Sequence, residues 1–287
     1  MEENKVRFSI IVVCFNAGDK LKYTLDNIYA QEYWNYQVII KDGGSTDGSL
    51  DALIEAGYFE GRIGEVTNIV KGKDRGIYDA MNLAVNYLNE HVECQRKERN
   101  YVIFMNCGDS FCDRQTLGHV ADEIAEHGEM DEPVIFYGDQ FNMTTNTYVT
   151  SSPKLNEFSL YRNVPCHQVC FYDGRLFKSR AYNTDYKVRA DYEHFLYCVY
   201  EEHARTIHMD GAVSKYEGGG FSETKTNREV SAKEHRQITD KYMGARARRY
   251  RLIMTLTGAG IRTKMAESKY MSGLYNAIKS FVYGLKK

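Results

Sequence analysis

The residues best suited to chemistry are acids and amides in short polar runs, most of them closing an apolar, strand-length segment. These runs are Asp42-Gly-Gly-Ser-Thr-Asp47, Asp74-Arg-Gly-Ile-Tyr-Asp79, Asn106-Cys-Gly-Asp-Ser110 and Asp139. Singly, each is ordinary turn chemistry, because Asp, Asn, Ser and Gly close turns through local hydrogen bonds and tolerate positive φ. Together they point further, since carboxylates gathered at one edge repel unless a cation or ligand offsets them. A nucleotide sugar carried with Mg²⁺ or Mn²⁺ would do so. These ions take oxygen ligands, typically one or two carboxylates with phosphates supplying the rest.

The segments between the runs predict how they are positioned. Phe8–Cys14 is a nearly continuous apolar run, and Gln37–Lys41 is another, as expected of strands buried on both faces. A helix over Asp19–Gln31, with Leu21, Leu25 and Ile28 on one face, makes the first parallel β-α-β unit. A second helix, capped by Asp47 or Ser49, leads to a strand over Val66–Val70. A third helix runs from Asp74 to about His91 and precedes a strand over Tyr101–Met105. In such sheets ligands sit beyond the carboxyl ends of the strands, where the polar runs fall. After Asp113 the rhythm changes. Helices are expected over Gln115–His127 and Asp191–Tyr200. Strands are expected over Val134–Asp139, Gln168–Tyr172 and through Ile207 and Met209, with an antiparallel edge strand over Tyr148–Pro153. The pattern predicts an α/β fold, a mostly parallel sheet flanked by helices, over residues 1–228, with a helical, basic extension over 229–287.

The 287 residues are 43% hydrophobic, enough for a proper core, and the net charge of −2 argues against nucleic acid as a partner. The charge is uneven. From Gly244 to Lys287 there are ten Lys or Arg residues against one acid, Glu267. No apolar run approaches the length of a spanning helix, and the polar start lacks signal-peptide character, so a cytoplasmic protein is expected. Seven cysteines without paired Cys-x-x-Cys spacing read as reduced core residues rather than a zinc site. Cys166 beside His167 is not a natural thiol–imidazole pair, because neighbours on a strand point to opposite faces.

Six segments in order carry a specific resemblance: Ile11-Val-Val-Cys-Phe-Asn16, Asp42–Asp47, Asp74-Arg-Gly-Ile-Tyr-Asp-Ala-Met-Asn82, Met105-Asn-Cys-Gly-Asp109, His167-Gln168 and Ala190-Asp-Tyr-Glu193. Spanning about Phe8 to Ser222, they resemble family 2 glycosyltransferases, in the branch found in bacterial polysaccharide and colanic-acid-type clusters. The resemblance implies a GT-A (Rossmann-like) fold and inverting transfer of a sugar from a nucleotide-diphosphate donor to a glycan or lipid-linked saccharide acceptor. It places Cys14, Asn16 and Asp42 at the nucleoside, with Gly44, Ser45, Asp74, Arg75 and Asn106 also on the donor side. Asp109 matches the last acid of the family's metal-binding Asp-x-Asp, while Cys107 replaces its first acid. A Mg²⁺ or Mn²⁺ cofactor is implied, held by fewer carboxylates than usual. Asp191 matches the catalytic base, and His167 stands near acceptor and diphosphate. Gly219, Gly220 and Ser222 resemble a loop that closes near the donor.

Rival readings stand beside several of these. Asp191 also suits a helix N-cap, and His167 a buried, satisfied imidazole. The missing acid at Cys107 and Ala190 beside the base allow a catalytically impaired nucleotide-sugar-binding scaffold of the same fold. In the tail, Met271, Leu274, Tyr275, Ile278, Phe281, Val282 and Leu285 recur at helical spacing. Such a helix either lies peripherally on the inner face of the cell membrane, drawn to anionic lipid, or packs on the catalytic domain or a second copy in a homo-oligomer.

Overall fold

Valine- and isoleucine-rich runs that expose neither face belong in the middle of a sheet, and the first two strands lie there. In the computed structural model, which describes residues 6–91, 99–127, 130–218, 225–256, 273, 277 and 278, Ile10, Ile11, Val38, Ile39 and Ile40 are wholly buried. They belong to β1 (Val6–Cys14) and β2 (Tyr36–Asp42), joined by α1 (Asp19–Tyr29). α2 (Ser49–Glu55) and α3 (Gly61–Val66) lead to β3 (Thr67–Lys71), and α4 (Ile77–His91) leads to β4 (Arg99–Asn106). β1 pairs parallel with both β2 and β4, and β2 with β3. The register sets Cys14 opposite Asp42 and Val13 opposite Asn106, so three polar strand ends share one edge.

The second half is mixed. β5 (Ser110–Phe111), α5 (Thr116–Glu126), β6 (Val134–Asn142), β7 (Thr147–Val149) and α6 (Glu157–Arg162) precede a 3₁₀ turn at His167–Val169. Then follow β8 (Cys170–Asp173), α7 (Gly174–Ser179), α8 (Ala190–Tyr200), β9 (Arg205–Tyr216), α9 (Lys225–Met243) and α10 (Ala245–Leu256). The sheet order is β3-β2-β1-β4-β8-β6-β9-β5, with β7 against β6. β8 runs antiparallel to β4 and to β6, whereas β6 and β9 are parallel. Because β8 runs against β4, the turn that feeds it arrives beside the carboxyl end of β4. That antiparallel insertion brings His167 to Asn106.

Most of the expected elements are present within a few residues. The strand expected from Gln168 begins at Cys170, because residues 167–169 are wound into the 3₁₀ turn. The third helix begins at Ile77, because Asp74-Arg75-Gly76 form the turn before it. α3, α6 and α7 have six residues each, too few to display a helical period in sequence.

The first part of the basic extension is docked. His235 Nε2 lies 2.7 Å from the Tyr161 carbonyl, and Lys241 and Tyr242 bind Glu193 Oε1 at 2.9 and 2.6 Å. From α10, Arg246 and Tyr250 meet Glu157 at 3.0 and 3.1 Å. The apolar stripe expected over Met271–Leu285, apart from Ile278, lies outside the described residues, as do Gly219, Gly220 and Ser222. Among the described residues no helix is long and apolar enough to cross a membrane.

Candidate functional site

The donor-side edge is built by loops that hydrogen-bond one another. Asp42 ends β2 nearly buried, and its carboxylate accepts the Gly44 and Ser45 N–H groups at 3.1 Å and the Ser45 hydroxyl at 2.5 Å. The Cys14 thiol donates to the same carboxylate at 3.6 Å. Cys107 beside it, together with burial, pushes Cys14 far above the usual thiol range, so it stays a neutral donor. Asn16, at φ 49°, ties the loop after β1 to the loop after β2: its N–H donates to Ser45 Oγ and its Oδ1 accepts the Thr46 N–H. A cavity of about 190 Å³ opens on Asp42, Gly44, Ser45 and Lys71. Beside it Phe15, 65% exposed, offers an aromatic face on which a base can stack.

Asp74 is drawn to this edge by Lys41, a strand lysine that is 1% exposed. The Lys41 ammonium donates to the Asp42 and Gly72 carbonyls at 2.7 and 2.5 Å and meets Asp74 Oδ2 at 3.3 Å. A charge so buried persists only when its donors are all occupied. Gly43 allows the close approach, for a Cβ there would stand 2.6 Å from Asp74 Oδ2. Arg75 is not gathered in: its side chain is 81% exposed and its guanidinium is held by Asp79 at 2.8 Å. The turn reading suffices for Asp79, which accepts the Arg75 N–H, whereas Asp47 accepts the Ser49 N–H locally and also the Gly18 N–H from the loop after β1. Asp139 is held by His208 and the Ser151 N–H, at 3.0 and 2.8 Å.

The chemistry-bearing groups meet around the 3₁₀ turn. His167 Nε2 faces Asn106 Nδ2 at 3.1 Å, and its Nδ1 faces Asp191 Oδ2 at 3.1 Å. Asp191 Oδ1 accepts the Tyr78 hydroxyl at 2.9 Å and the Tyr192 N–H at 2.8 Å. Burial works against ionisation of Asp191, but His167, Tyr78 and the Tyr192 N–H outweigh it and hold the carboxyl below the usual range. Its side chain remains 26% exposed, so a ligand can reach it. It is not the N-cap of α8: Arg189 holds that position, and Asp191 lies inside the first turn. There the helix dipole also favours a negative charge. His167 is nearly buried and hydrogen-bonded, and its two partners are both site residues.

Gln168, the next residue, donates to Asp109 Oδ2 at 2.9 Å, and the Glu217 N–H donates to Asp109 Oδ1 at 3.0 Å. Asp109 is 3% exposed, and burial raises its carboxyl above the usual range despite those two donors. Asn106 leaves its Oδ1 buried without a hydrogen-bond partner. A hard divalent cation would therefore find an acid and an unclaimed amide oxygen on one loop, and the donor set fits it. Burial also pushes the Cys166 thiol up to about 12, which removes it as a nucleophile.

Four contributors escaped the sequence reading. Phe15 and Tyr78 lie inside segments singled out for other residues. Glu217 directly precedes the glycine run, a position that could have drawn notice. Glu234 of α9 accepts the Lys187, Val188 and Arg189 N–H groups at 2.7, 3.0 and 2.9 Å, clamping the entry to α8. Nothing in sequence flags a Glu in an exposed-looking helix for that role.

The chain is similar to known proteins in sequence and in fold. A family model described as glycosyl transferase family 2 matches residues 9–183. PGL/p-HBAD biosynthesis glycosyltransferases of Mycobacterium bovis and Mycobacterium tuberculosis are 33% identical over 224 residues, covering 77% of this chain and 81% of theirs. Staphylococcus aureus TarS 1-349, solved in complex with UDP-GlcNAc, superposes with a TM-score of 0.61 at 17% identity, over 85% of this chain and 70% of that one. The mannosyltransferase PcManGT of Pyrobaculum calidifontis, solved with GDP-Man and Mn²⁺, gives 0.54 at 14% identity, over 94% and 84%. The structural likenesses establish the shared fold.

Proposed function

The chain belongs to glycosyl transferase family 2 and is a glycosyltransferase of GT-A fold, and from that premise we propose that it binds a nucleotide sugar and carries out an inverting transfer between Asp109 and Asp191. The donor nucleoside lies against Cys14, Phe15, Asn16 and the Asp42–Ser45 loop, with Asp74 behind it and Arg75 at the rim. The diphosphate reaches Asn106 and Asp109. When bound, Mg²⁺ or Mn²⁺ at Asp109 and Asn106 offsets the charge of the departing diphosphate. An acceptor hydroxyl hydrogen-bonds to Asp191, which takes its proton as the oxygen attacks the anomeric carbon from the side opposite the diphosphate. One C–O bond forms while the anomeric carbon–phosphate oxygen bond breaks, and its electron pair leaves on the nucleoside diphosphate. His167 and Tyr78 keep the base ionised and oriented.

The observation that carries this reading is that consecutive residues of one turn, His167 and Gln168, tie the two acids: Asp191 at 3.1 Å and Asp109 at 2.9 Å. A scaffold that only held a nucleotide sugar would have no need of an ionised acid beside the leaving-group site. A cavity of about 210 Å³ borders the turn at Pro165 and Cys166, lined by Ser151, Ser152, Ser159 and Arg162. Its hydroxyls and guanidinium suit a saccharide acceptor, either free or lipid-linked, as expected for cell-surface polysaccharide assembly. The basic segment from Gly244 onward supports peripheral contact with an anionic membrane.

The test is transfer from UDP-, GDP- and dTDP-sugars, with and without Mn²⁺, by wild type and Asp191→Asn. Loss of a positioned base lowers turnover by about 10²- to 10⁴-fold, while nucleotide affinity by calorimetry should hold within about twofold, since Asp191 is not placed on the nucleoside. Retained turnover would remove Asp191 from the mechanism, and retained anomeric configuration by NMR would remove inversion.

A further inference from the structure

The run Asn106-Cys107-Gly108-Asp109 has a single acid, and thiols such as Cys107 are poor partners for Mg²⁺ or Mn²⁺. A second carboxylate nevertheless stands at this loop, supplied by the chain just after β9. The Glu217 N–H donates to Asp109 Oδ1 at 3.0 Å, across 108 residues of sequence. Its side chain lies directly on Gly108, where an added Cβ would stand 2.3 Å from Glu217 Oε2. Gly108, at φ +100°, therefore both permits the turn and leaves room for the carboxylate. The residue is anchored on its far side as well: its carbonyl accepts the Thr144 hydroxyl at 2.6 Å, and the neighbouring Tyr216 carbonyl accepts the Met143 N–H at 2.9 Å.

We propose that Glu217 is the second carboxylate of the divalent-cation site, taking the place of the acid that Cys107 does not provide. The inference rests on the reading of Asp109 as a cation ligand and goes beyond it. Glu217 now pairs with Lys20 at 2.6 Å, and the two side chains are 42% and 56% exposed. Ion pairs that open are weak because water screens them, so a dication can take the carboxylate from Lys20 at little cost. Two carboxylates, the unclaimed Asn106 Oδ1 and the donor diphosphate make an all-oxygen set of the kind Mg²⁺ and Mn²⁺ accept. Lys20 acts as the placeholder that balances Glu217 before cation and donor arrive.

The experiment measures Mn²⁺ binding to the full chain by water-proton relaxation, in the presence of UDP and separately of GDP, and requires no turnover. Wild type should bind Mn²⁺ with at least one nucleotide. Glu217→Gln should weaken Mn²⁺ by about tenfold or more, Glu217→Asp should recover part of that loss, and metal-free nucleotide affinity should stay unchanged. Lys20→Met should leave Mn²⁺ affinity unchanged or tighten it a few fold, by freeing the carboxylate. Thermal unfolding confirms that each variant is folded, as expected for exposed side chains. If wild type binds Mn²⁺ and Glu217→Gln binds it equally well, Glu217 is only a surface latch on Lys20 and the proposal falls alone. If wild type binds no Mn²⁺ with either nucleotide, the cation reading of Asp109 falls, and the role of Glu217 falls with it.

Discussion

The loop after β4 and the first turn of α8 each present an acid to the same 3₁₀ turn, and their surroundings drive the two acids apart. Asp191 receives the Tyr78 hydroxyl, the Tyr192 N–H and His167 at the start of a helix. Those donors outweigh burial and hold it ionised. Asp109 is buried with two donors that do not offset the burial, and the Glu217 charge adds to it. Pairs of acids pushed in opposite directions mark a division of roles. In the proposed mechanism the α8 acid is already ionised, and so able to accept a proton, without any ligand. The β4 acid carries a cost of burial that the proposed cation would remove on arriving with the donor.

The largest effect that can sharpen this contrast comes from changing Asp109. Asp109→Asn should lower transfer by about 10²-fold or more, as expected when charge stabilisation at a leaving group is lost, and should abolish Mn²⁺ enhancement of nucleotide binding. The same variant should raise the melting temperature of the ligand-free protein. It removes a buried charge at neutral pH, while Gln168 can turn its amide to suit the new side chain, for a gain on the order of 1 kcal/mol. The signs follow from linkage. The folded carboxyl of Asp109 is raised, so its burden on stability grows as pH climbs from the ordinary carboxylate range through the folded value. The folded carboxyl of Asp191 is lowered, so its contribution is present above that range and fades as pH falls through the folded value. Asp191→Asn should therefore lower the melting temperature at neutral pH and lose that effect in acid. Both variants shifting stability in the same direction at neutral pH would break the comparison.

Next in size is the clamp that supports only one of the two acids. Glu234 receives three backbone N–H groups ahead of α8 and is 5% exposed. Glu234→Ala leaves three donors unpaired, and buried unpaired donors cost about 1–3 kcal/mol each before relaxation. A loss of about 3 kcal/mol, roughly 6–12 °C for a chain of this size, should appear in thermal unfolding. Turnover should fall as the start of α8 loosens, while Mn²⁺ binding at the β4 loop should hold. A change in Mn²⁺ affinity equal to that of Glu217→Gln would mean that the two regions are not separable.

The same contrast explains what the sequence could tell. The donor edge was legible because its signals are local: apolar runs in β1 and β2, helix-length spacing between them, and Asp42-Gly43-Gly44-Ser45 closing on itself. Asp109 and Asp191 were singled out only through the family resemblance that the segments around them carry. Their supporting partners were not. Tyr78 reaches Asp191 across 113 residues, Glu234 reaches Val188 across 46, and Glu217 reaches Asp109 across 108. Such contacts are set by how helices and strands pack, and no spacing rule marks them in advance. Lys41 closes a run expected to be buried on both faces, but the carbonyls and the acid that receive its ammonium are not marked by any spacing. The turn reading was sufficient for Asp79 but not for Asp47, which also holds the Gly18 N–H across 29 residues, and Arg75 stands at the edge without being drawn in.

The smallest expected effect is also the most specific to the α8 acid. The Tyr78 hydroxyl lies 2.9 Å from both Asp191 Oδ1 and the Val188 carbonyl, two acceptors that share its single proton. Tyr78→Phe removes a donor to the charged form of Asp191, so the carboxyl must rise toward the ordinary value. Other ionisable groups around Asp191 remain in place: His167 from the turn, Tyr182, Cys166 and Cys170. Of these only His167 donates to it, so the shift should be partial. On the plateau near neutral pH, kcat/KM should change by no more than about threefold, since Asp191 stays mostly ionised there. The acidic limb should move to higher pH, and the donor KM should stay level. A loss of about 1 kcal/mol in stability from the missing hydroxyl donor is expected as well. Because a purely structural tyrosine would give the stability loss without moving the limb, an unmoved limb would separate Tyr78 from the base and leave His167 as the group that keeps Asp191 ionised.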